Sequence, residues 1–295
     1  MSVRRLKRHA IDDDRWDAAV LSIGQSFPYG LSWWLDAVTG GSWEGLVLDD
    51  YRVVMPLPKL RRYGFIPAYL RPPFTQQLGP FGTLEPGDLK DLLHAVPFSL
   101  QIALPLVITA PVEEVPEGFS MRRRINYVLD LSKPLEQTKK QFPKTVRSLI
   151  RKSSEDRLEP ADPARTIHYY RSHLRGRGGL RDFHFARLAD LIAACQSRGV
   201  GDCYQLRDAD ELLAIGFFPT FRGRTINLTA ASTEAGMNRR GMSRLLALLF
   251  ARDSGVPGNC FDFEGSELPG VKEYFAKFGG TDEGYFLVEK KLLIR

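Results

Sequence analysis

Hydrophobic and polar residues follow helical periods in some stretches and strand periods in others, which predicts a mixed α/β protein. Helices are predicted where apolar residues recur at helical spacing, at residues 13–23, 32–38, 86–95, 132–153, 166–174, 185–197, 243–253 and 271–278. Strands are predicted where β-branched and apolar residues cluster, at 43–48, 52–57, 99–104, 122–131, 203–207, 211–218, 225–231, 260–264 and 285–294. The segment from Pro58 to Gly82 is rich in proline, glycine and aromatic residues, so we expect it to be ordered but irregular.

The order of these predicted elements occurs twice along the chain. Helices, a hairpin, a connecting strand or loop, a helix and a strand occur before Pro105, and a fuller version follows Arg122. The segment from Pro105 to Gly118 is rich in proline, glycine and glutamate, as linkers often are. We therefore predict two copies of one α/β unit with mixed sheets, in residues 1–118 and 119–295.

The stretch from Arg224 to Asp253 combines a predicted strand, a basic glycine-containing loop and a helix. The strand spans 225–231, and we expect Ser243 to cap the helix. The first-turn N–H groups of a helix lack intrahelical partners, and the helix dipole favours an anion there. That dipole contributes only about 0.3–1 kcal/mol at an exposed site, so Arg239, Arg240 and Arg244 would have to supply most of the affinity for a phosphate. An ordinary connection with solvated arginines is the alternative.

Composition adds little to this picture. Hydrophobic residues make up 43% and charged residues 26% of the chain, as in soluble globular proteins. No signal peptide and no apolar run of about 18 residues is visible, so we predict a cytoplasmic protein without a transmembrane segment. The three cysteines have no metal-binding spacing, and the net charge of +6 is compatible with anionic ligands without identifying one.

Two acidic residues, Asp262 and Glu264, are the main catalytic candidates. They lie two apart on a predicted strand and would therefore point to one face. Such carboxylates can deprotonate or orient an attacking amine, and the alternative is that they pair with arginines to fix the strand. Ser266 and Glu267 begin the loop after this strand, where ligands tend to bind in open α/β sheets.

Basic residues also cover one side of the predicted helix that ends near Ser153. This face, from Lys139 to Lys152, is a candidate contact for RNA backbone or an anionic donor, and a solvated helix face is the alternative. The histidines at 168, 173 and 184 have no metal-ligand partners at suitable spacing, so no metal site is predicted.

The second unit resembles the GNAT acyltransferase fold, and the chain resembles the Fem-type tandem GNAT proteins. The segment NRRGMS (residues 238–243) is similar to the coenzyme A loop (Q/R)-x-x-G-x-(G/A). Gly241 matches the central glycine, whereas Asn238 stands where Gln or Arg is usual and Ser243 stands where Gly or Ala is usual. NYVLDL (126–131), RSLIRK (147–152), FDFEGS (261–266), FAKFGG (275–280) and, in the first unit, PPFTQQLGPFG (72–82) carry the Fem-type likeness.

The resemblance implies transfer of an acyl or aminoacyl group to an amine. It implies that acyl-coenzyme A, as co-substrate, contacts the strand around Leu228, Thr229 and Ala230 and the loop formed by Met237, Asn238, Arg239, Arg240, Gly241, Met242 and Ser243. GNAT enzymes often use a tyrosine general acid in a Y-x-x-x-G-F pattern. Phe275 occupies the tyrosine position here and Gly280 replaces the final aromatic residue, so Tyr274 would serve as the acid only if the helix is rotated.

Three functions follow from these observations. The first is an N-acyltransferase that uses acyl-coenzyme A and a small-molecule or peptide amine, with Asp262, Glu264 and Tyr274 near the acceptor. The second is a Fem-type aminoacyltransferase with aminoacyl-tRNA as donor, which the absence of a long helical insertion disfavours. The third is a binding module that keeps the fold without the chemistry, which Phe275 favours slightly. The sequence does not indicate the oligomeric state.

Overall fold

The structure is a computed structural model that describes residues 2–62, 66–107, 115–152, 156–174, 179–265 and 271–291. The chain divides into two compact units. Met1–Arg124 with Gly284–Arg295 form unit 1, and Ile125–Glu283 form unit 2. Our sequence analysis placed a boundary after residue 118 and did not anticipate that the chain end returns to unit 1.

Both units contain sheets with helices packed on them. Within the described residues the strands are β1 (Val3–Lys7), β2 (Trp43–Leu48), β3 (Val53–Arg62), β4 (Ile66–Leu70), β5 (Phe81–Gly82), β6 (Gln101–Pro105), β7 (Ser120–Arg124), β8 (Tyr127–Asp130), β9 (Glu159–Pro160), β10 (Asp202–Asp208), β11 (Glu211–Phe218), β12 (Thr220–Phe221), β13 (Arg224–Ile226), β14 (Thr229–Ser232), β15 (Cys260–Asp262), β16 (Thr281–Asp282) and β17 (Tyr285–Lys291). The α-helices are α1 (Asp13–Ser22), α2 (Ser32–Thr39), α3 (Asp88–His94), α4 (Leu135–Thr138), α5 (Lys144–Lys152), α6 (Pro163–His173), α7 (Asp182–Gln196), α8 (Glu234–Asn238), α9 (Gly241–Asp253) and α10 (Val271–Ala276).

Unit 1 is built on one mixed sheet with the strand order β1-β2-β3-β4-β6-β17-β7, and β5 pairs with β3. The last strand, β17, lies between β6 and β7 and is antiparallel to both. The core of this unit is aromatic: Trp16 and Trp34 are completely buried, and the Trp16 indole N–H donates to the Gly30 carbonyl at 2.9 Å. Two indoles therefore stabilise the helices α1 and α2 against the sheet.

Local sequence explains where several helices begin and end. Asp12 caps α1 by accepting a hydrogen bond from the Arg15 N–H, and Asp162 caps α6 in the same way from the Arg165 N–H. Gly40 ends α2 in the left-handed conformation, with φ of 65°. The sequence predicted the start of α1 at residue 13, whereas it placed the start of α6 at residue 166, three residues after the observed Pro163.

Two predictions for local structure were wrong. Residues 58–82 are not wholly irregular, because β3 continues to Arg62 and pairs antiparallel with β4. The predicted helix over 132–153 is broken and not merely kinked at Pro143: α4 and a 3₁₀ turn (Lys139–Gln141) end at Phe142, which is extended with ψ of 144°. The steric clash between a proline ring and the preceding residue disfavours helical geometry there. Most of the predicted linker, residues 108–114, lies outside the described residues.

Unit 2 contains two separate sheets. One has the order β14-β11-β10-β9, and the other has the order β12-β13-β15-β8-β16. The strand predicted over 225–231 is shared between them, since β13 pairs in parallel with β15 whereas β14 pairs antiparallel with β11. The chain changes sheets at Asn227 and Leu228, between β13 and β14, and it also does so at Pro219, between β11 and β12.

An aromatic cluster fills the core of unit 2. Phe250 on α9 contacts the rings of Phe261, Phe263 and Phe278, with centroid distances of 5.0, 6.0 and 5.6 Å. Offset and edge-on aromatic contacts of this kind stabilise a core beyond the effect of area burial. The cluster fixes α9 and α10 relative to β15, and these three elements surround the candidate site.

Candidate functional site

Unit 2 contains a cavity of about 560 Å³ beside the segment where the chain changes sheets. Its size is typical of small-molecule sites. The cavity is lined by residues of α6, of the segment 227–232, of α8 and α9, of the end of β15 and of α10: Tyr170, His173, Asn227, Leu228, Thr229, Ala230, Ser232, Gly236, Met237, Arg240, Met242, Ser243, Phe263, Glu264, Tyr274 and Phe275.

The segment that changes sheets contributes unsatisfied polar atoms to this cavity. The Asn227 N–H donates to the Asp262 carbonyl at 2.8 Å, and the Leu228 N–H donates to the Ile226 carbonyl at 2.9 Å. By contrast, the side-chain oxygens Asn227 Oδ1 and Thr229 Oγ1 are buried without a hydrogen-bond partner among the described residues. Buried polar atoms are normally paired, so such atoms in a cavity wall indicate a place for a ligand.

The predicted loop at 234–241 is largely helical. Thr233 caps α8 by accepting from the Gly236 N–H at 3.0 Å, and α9 then begins at Gly241 after Arg240, which has a left-handed φ of 57°. Ser243 therefore lies within the first turn of α9 and is not its cap, contrary to our expectation. The first-turn N–H groups of this 13-residue helix remain the anion-binding feature that the sequence predicted.

Two glycines allow this turn to approach β11 closely. A Cβ atom on Gly236 would lie 1.8 Å from the Leu213 carbonyl oxygen, and one on Gly241 would lie 2.8 Å from the Leu213 Cβ. Gly241, the glycine retained in the segment that resembles the coenzyme A loop, therefore has a packing role, because it lets the start of α9 lie close to β11. Gly241 itself does not line the cavity.

The three arginines of this region have different environments. Arg239 pairs with Glu211 at 2.7 Å and Asp208 at 3.3 Å, and Arg244 pairs with Asp156, with 2.7 Å between Nε and Oδ2. Arg240 is exposed, lines the cavity and forms no ion pair with the described residues. Arg240 is therefore the arginine of the three whose charge is available to a ligand.

Tyr274 faces the cavity from α10. Its hydroxyl lies 2.7 Å from the hydroxyl of Ser243 in the first turn of α9. Burial raises the pKa of Tyr274 to about 12, although the hydrogen bond to Ser243 acts in the opposite direction. The phenol is therefore protonated at neutral pH and can donate a hydrogen bond into the cavity. Phe275, which occupies the tyrosine position of the resembling motif, also lines the cavity.

Asp262 and Glu264 do not share a strand face as predicted. β15 ends at Asp262, and Glu264 follows in a left-handed conformation with φ of 49°. Asp262 is 1% exposed, accepts from Arg224 at 2.6 Å and does not line the cavity. Asp262 thus pairs with an arginine and fixes the strand, which is the alternative to a catalytic role that the sequence left open. Glu264 does line the cavity.

The structure therefore brings together most of the predicted residues but not all. Nine of them line the cavity: Leu228, Thr229, Ala230, Met237, Arg240, Met242, Ser243, Glu264 and Tyr274. Asn238, Arg239, Gly241 and Asp262 do not. Ser266 and Glu267 lie outside the described residues.

Two lining residues on α6, Tyr170 and His173, were not predicted as site residues. Burial and, as the smaller cause, the charge of Glu264 together raise the pKa of Tyr170 to about 12. No local motif marks α6, and only its tertiary position shows that it covers the cavity.

The basic helix α5 runs antiparallel to α9. Phe142, before α5, packs on Phe250 near the end of α9, and Asp156, after α5, pairs with Arg244 in the first turn of α9. Four exposed basic side chains of this region form no ion pair with the described residues: Lys140, Lys144, Arg147 and Arg151. The end of α5 thus brings positive charge toward the start of α9.

The described residues show neither a metal-binding cluster nor a membrane-spanning helix. They contain no cluster of histidine, cysteine and acidic side chains that could hold a metal ion. None of the helices in the described ranges combines the length and the apolar character needed to cross a bilayer.

No protein-family model matches the sequence, and no curated protein matches it. Solved structures do share the fold. FemX superposes with a TM-score of 0.66 at 12% identity, with 97% of both chains covered. The C-terminal domain of a proposed lysylphosphatidylglycerol synthetase from Agrobacterium fabrum gives 0.56 at 12% identity, with 95% of this chain and 91% of that chain covered. A conserved protein of unknown function from Bacteroides thetaiotaomicron gives 0.55 at 14% identity, with 95% and 97% covered. Over nearly its whole length, this chain has the Fem-like GNAT fold of FemX.

Proposed function

We propose that the chain is an N-acyltransferase that moves an acyl group from acyl-coenzyme A to an amine. The observation that supports this most directly is the composition of one cavity, which combines the segment that changes sheets, the first turn of α9 with Arg240, and the Tyr274–Ser243 pair. These are the parts needed to hold an anionic donor, to orient its acyl group and to assist a leaving group.

The residues of the cavity fit coenzyme A as a co-substrate. Its phosphates would be held by the first-turn N–H groups of α9 and by Arg240, which lines the cavity and forms no ion pair within the described part of the chain. The amide-containing arm would lie against Leu228, Thr229 and Ala230, where the backbone of the segment offers hydrogen-bond partners.

The chain's own residues then have distinct roles in acyl transfer. Glu264 attracts a cationic amine into the cavity by its negative charge. The attacking nitrogen is a neutral amine, formed when the ammonium releases one proton to solvent. As the new amide C–N bond forms and the C–S bond breaks, this nitrogen loses one further proton and the sulfur gains one. Tyr274, protonated at neutral pH and hydrogen-bonded to Ser243, donates a hydrogen bond to the departing sulfur. Asp262 has a supporting role through Arg224 and Asn126, since it lies outside the cavity wall.

The second candidate is an aminoacyl-tRNA-dependent transferase. The exposed basic side chains of α5, which approach the start of α9, favour it because phosphate contacts dominate the affinity of RNA complexes. The chain has 35 acidic residues against 41 basic ones, and this near balance of charge makes aminoacyl-tRNA the less favoured donor.

A thermal-shift titration of the full chain separates the two. Stabilisation by coenzyme A or acyl-coenzyme A, followed by amine-dependent release of free thiol, is the expected result. Binding of tRNA that weakens with salt, together with no response to coenzyme A, would replace the first candidate with the second. No response to either would indicate a binding module without acyltransferase chemistry.

A further inference from the structure

Three residues that carry hydrogen-bond acceptors line the cavity: Asn227, Thr229 and Glu264. Thr229 is 2% exposed, and neither its hydroxyl nor Asn227 Oδ1 has a partner among the described residues. A buried oxygen without a partner is costly unless a ligand supplies a donor. The cavity therefore needs a ligand with several donors at this position.

The backbone shows that these residues are neighbours. Asn227 donates its N–H to the Asp262 carbonyl at 2.8 Å, and Glu264 donates its N–H to Asp262 Oδ1, also at 2.8 Å. Both residues are thus fixed to the same aspartate, which the buried Arg224 holds in place. Thr229 follows Asn227 by two residues and lines the same cavity.

The acceptor set matches the chemistry of an ammonium group. An ammonium offers three N–H donors, whereas a carboxylate and an amide oxygen only accept and a threonine hydroxyl accepts as well. The rings of Tyr170, Phe263 and Tyr274 line the same cavity, and aromatic faces are favourable surroundings for a cation. The negative charge of Glu264 favours a charged donor over a neutral amide or hydroxyl.

An ammonium held in this way cannot be the attacking nitrogen, because a protonated nitrogen has no free lone pair. We propose that Asn227, Thr229 and Glu264 form a subsite for a second, non-reacting ammonium of the acceptor, so that the acceptor carries two amino groups, as diamines and basic amino acids do. The inference rests on the proposed acyltransferase function, and it names the substrate class for that same site.

The first test measures binding to the full chain by thermal shift. The probes are α,ω-diaminoalkanes of three to six carbons, the monoamines of the same length and the corresponding amino alcohols. At least one diamine should bind about tenfold or more tightly than its matched monoamine and amino alcohol, because a site built to hydrogen-bond a group rejects analogues that lack it. Equal affinities within each matched set would overturn the inference.

The second test uses variants with little change in shape. T229V and E264Q should each reduce the preference for diamine over monoamine by about tenfold, in binding and in KM. E234Q is the matched control, since Glu234 is an exposed residue of α8 that does not line the cavity, and it should keep the wild-type preference. A preference that survives in both T229V and E264Q would refute the subsite even if both proteins fold normally.

The two proposals fail in different ways. Coenzyme A binding and acyl transfer to monoamines without any diamine preference would leave the acyltransferase function standing and remove the subsite. Diamine binding that depends on Thr229 and Glu264, in a protein that neither binds coenzyme A nor transfers an acyl group, would support the ammonium site and remove the proposed reaction.

Discussion

The hydroxyl of Tyr274 lies 2.7 Å from the hydroxyl of Ser243, which joins α10 to the first turn of α9 inside the cavity. Because the phenol is positioned by this bond, we expect Y274F to lower kcat about 100-fold and S243A to lower it less. Donor affinity should change little in either variant, since neither hydroxyl carries charge at neutral pH. Steady-state kinetics with thiol detection measures both quantities, and a Y274F kcat within twofold of wild type would remove Tyr274 from the mechanism.

Buried phenols should make stability sensitive to high pH. The pKa of Tyr274 is raised from 10.0 to about 12 in the folded protein. The folded state therefore retains this proton when the unfolded state loses it, so the stability that is present below pH 10 is lost as the pH rises towards 12. Urea unfolding between neutral pH and pH 11 should show this decline, with a shallower slope for Y274F. Parallel slopes for the two proteins would contradict the assignment.

Arg239 and Arg240 are adjacent in sequence but should differ in ligand binding. Arg240 lines the cavity, whereas Arg239 is occupied by Glu211 and Asp208 on the surface. We expect R240A to weaken coenzyme A binding about tenfold, within the range of a charge-assisted hydrogen bond. R239A serves as the matched control and should change affinity less than twofold. Isothermal titration at two salt concentrations checks this, and equal losses in both variants would place the donor elsewhere.

The buried Arg224–Asp262 pair should matter for stability more than for the chemical step. Asp262 is 1% exposed and accepts from Arg224 at 2.6 Å, and Arg224 is also nearly buried. Arg224 also pairs with Glu283 at 2.9 Å, so D262A removes one of two carboxylates from a buried guanidinium and should cost about 3 kcal/mol of unfolding free energy, the lower end for breaking a buried pair. The double variant R224M/D262L should recover part of that loss. Urea unfolding measures it, and a stable D262A protein with abolished kcat would instead make Asp262 a catalytic residue.

Thr229 and Thr225 provide a matched pair of buried hydroxyls. The Thr225 hydroxyl donates to Asp253 Oδ2 at 2.7 Å, whereas that of Thr229 has no partner among the described residues. We expect T229V to stabilise the ligand-free protein by about 1 kcal/mol and T225V to destabilise it by about 1–2 kcal/mol. Chemical denaturation of both variants tests this. A destabilised T229V protein would mean that the hydroxyl already has a partner.

The sequence by itself determined those features that depend on neighbouring residues. The start of α1, the hairpin of β10 and β11, and the glycine-containing turn before α9 follow from local propensity and periodicity. The GNAT-like order of elements and most of the cavity residues around Arg240 and Tyr274 followed from the same patterns together with the family resemblance.

Only the tertiary structure decided the rest, because those features depend on contacts between distant residues. Long-range pairing divides one apolar run at Asn227 between two sheets, and it places Asp262 against Arg224 while Glu264 faces the cavity. The same applies to β17, which pairs with strands more than 150 residues earlier in the chain, and to Tyr170, which the fold of unit 2 brings to the same cavity as Glu264. Periodicity shows which face of an element is apolar, but the partner that covers that face is chosen by packing across the whole unit.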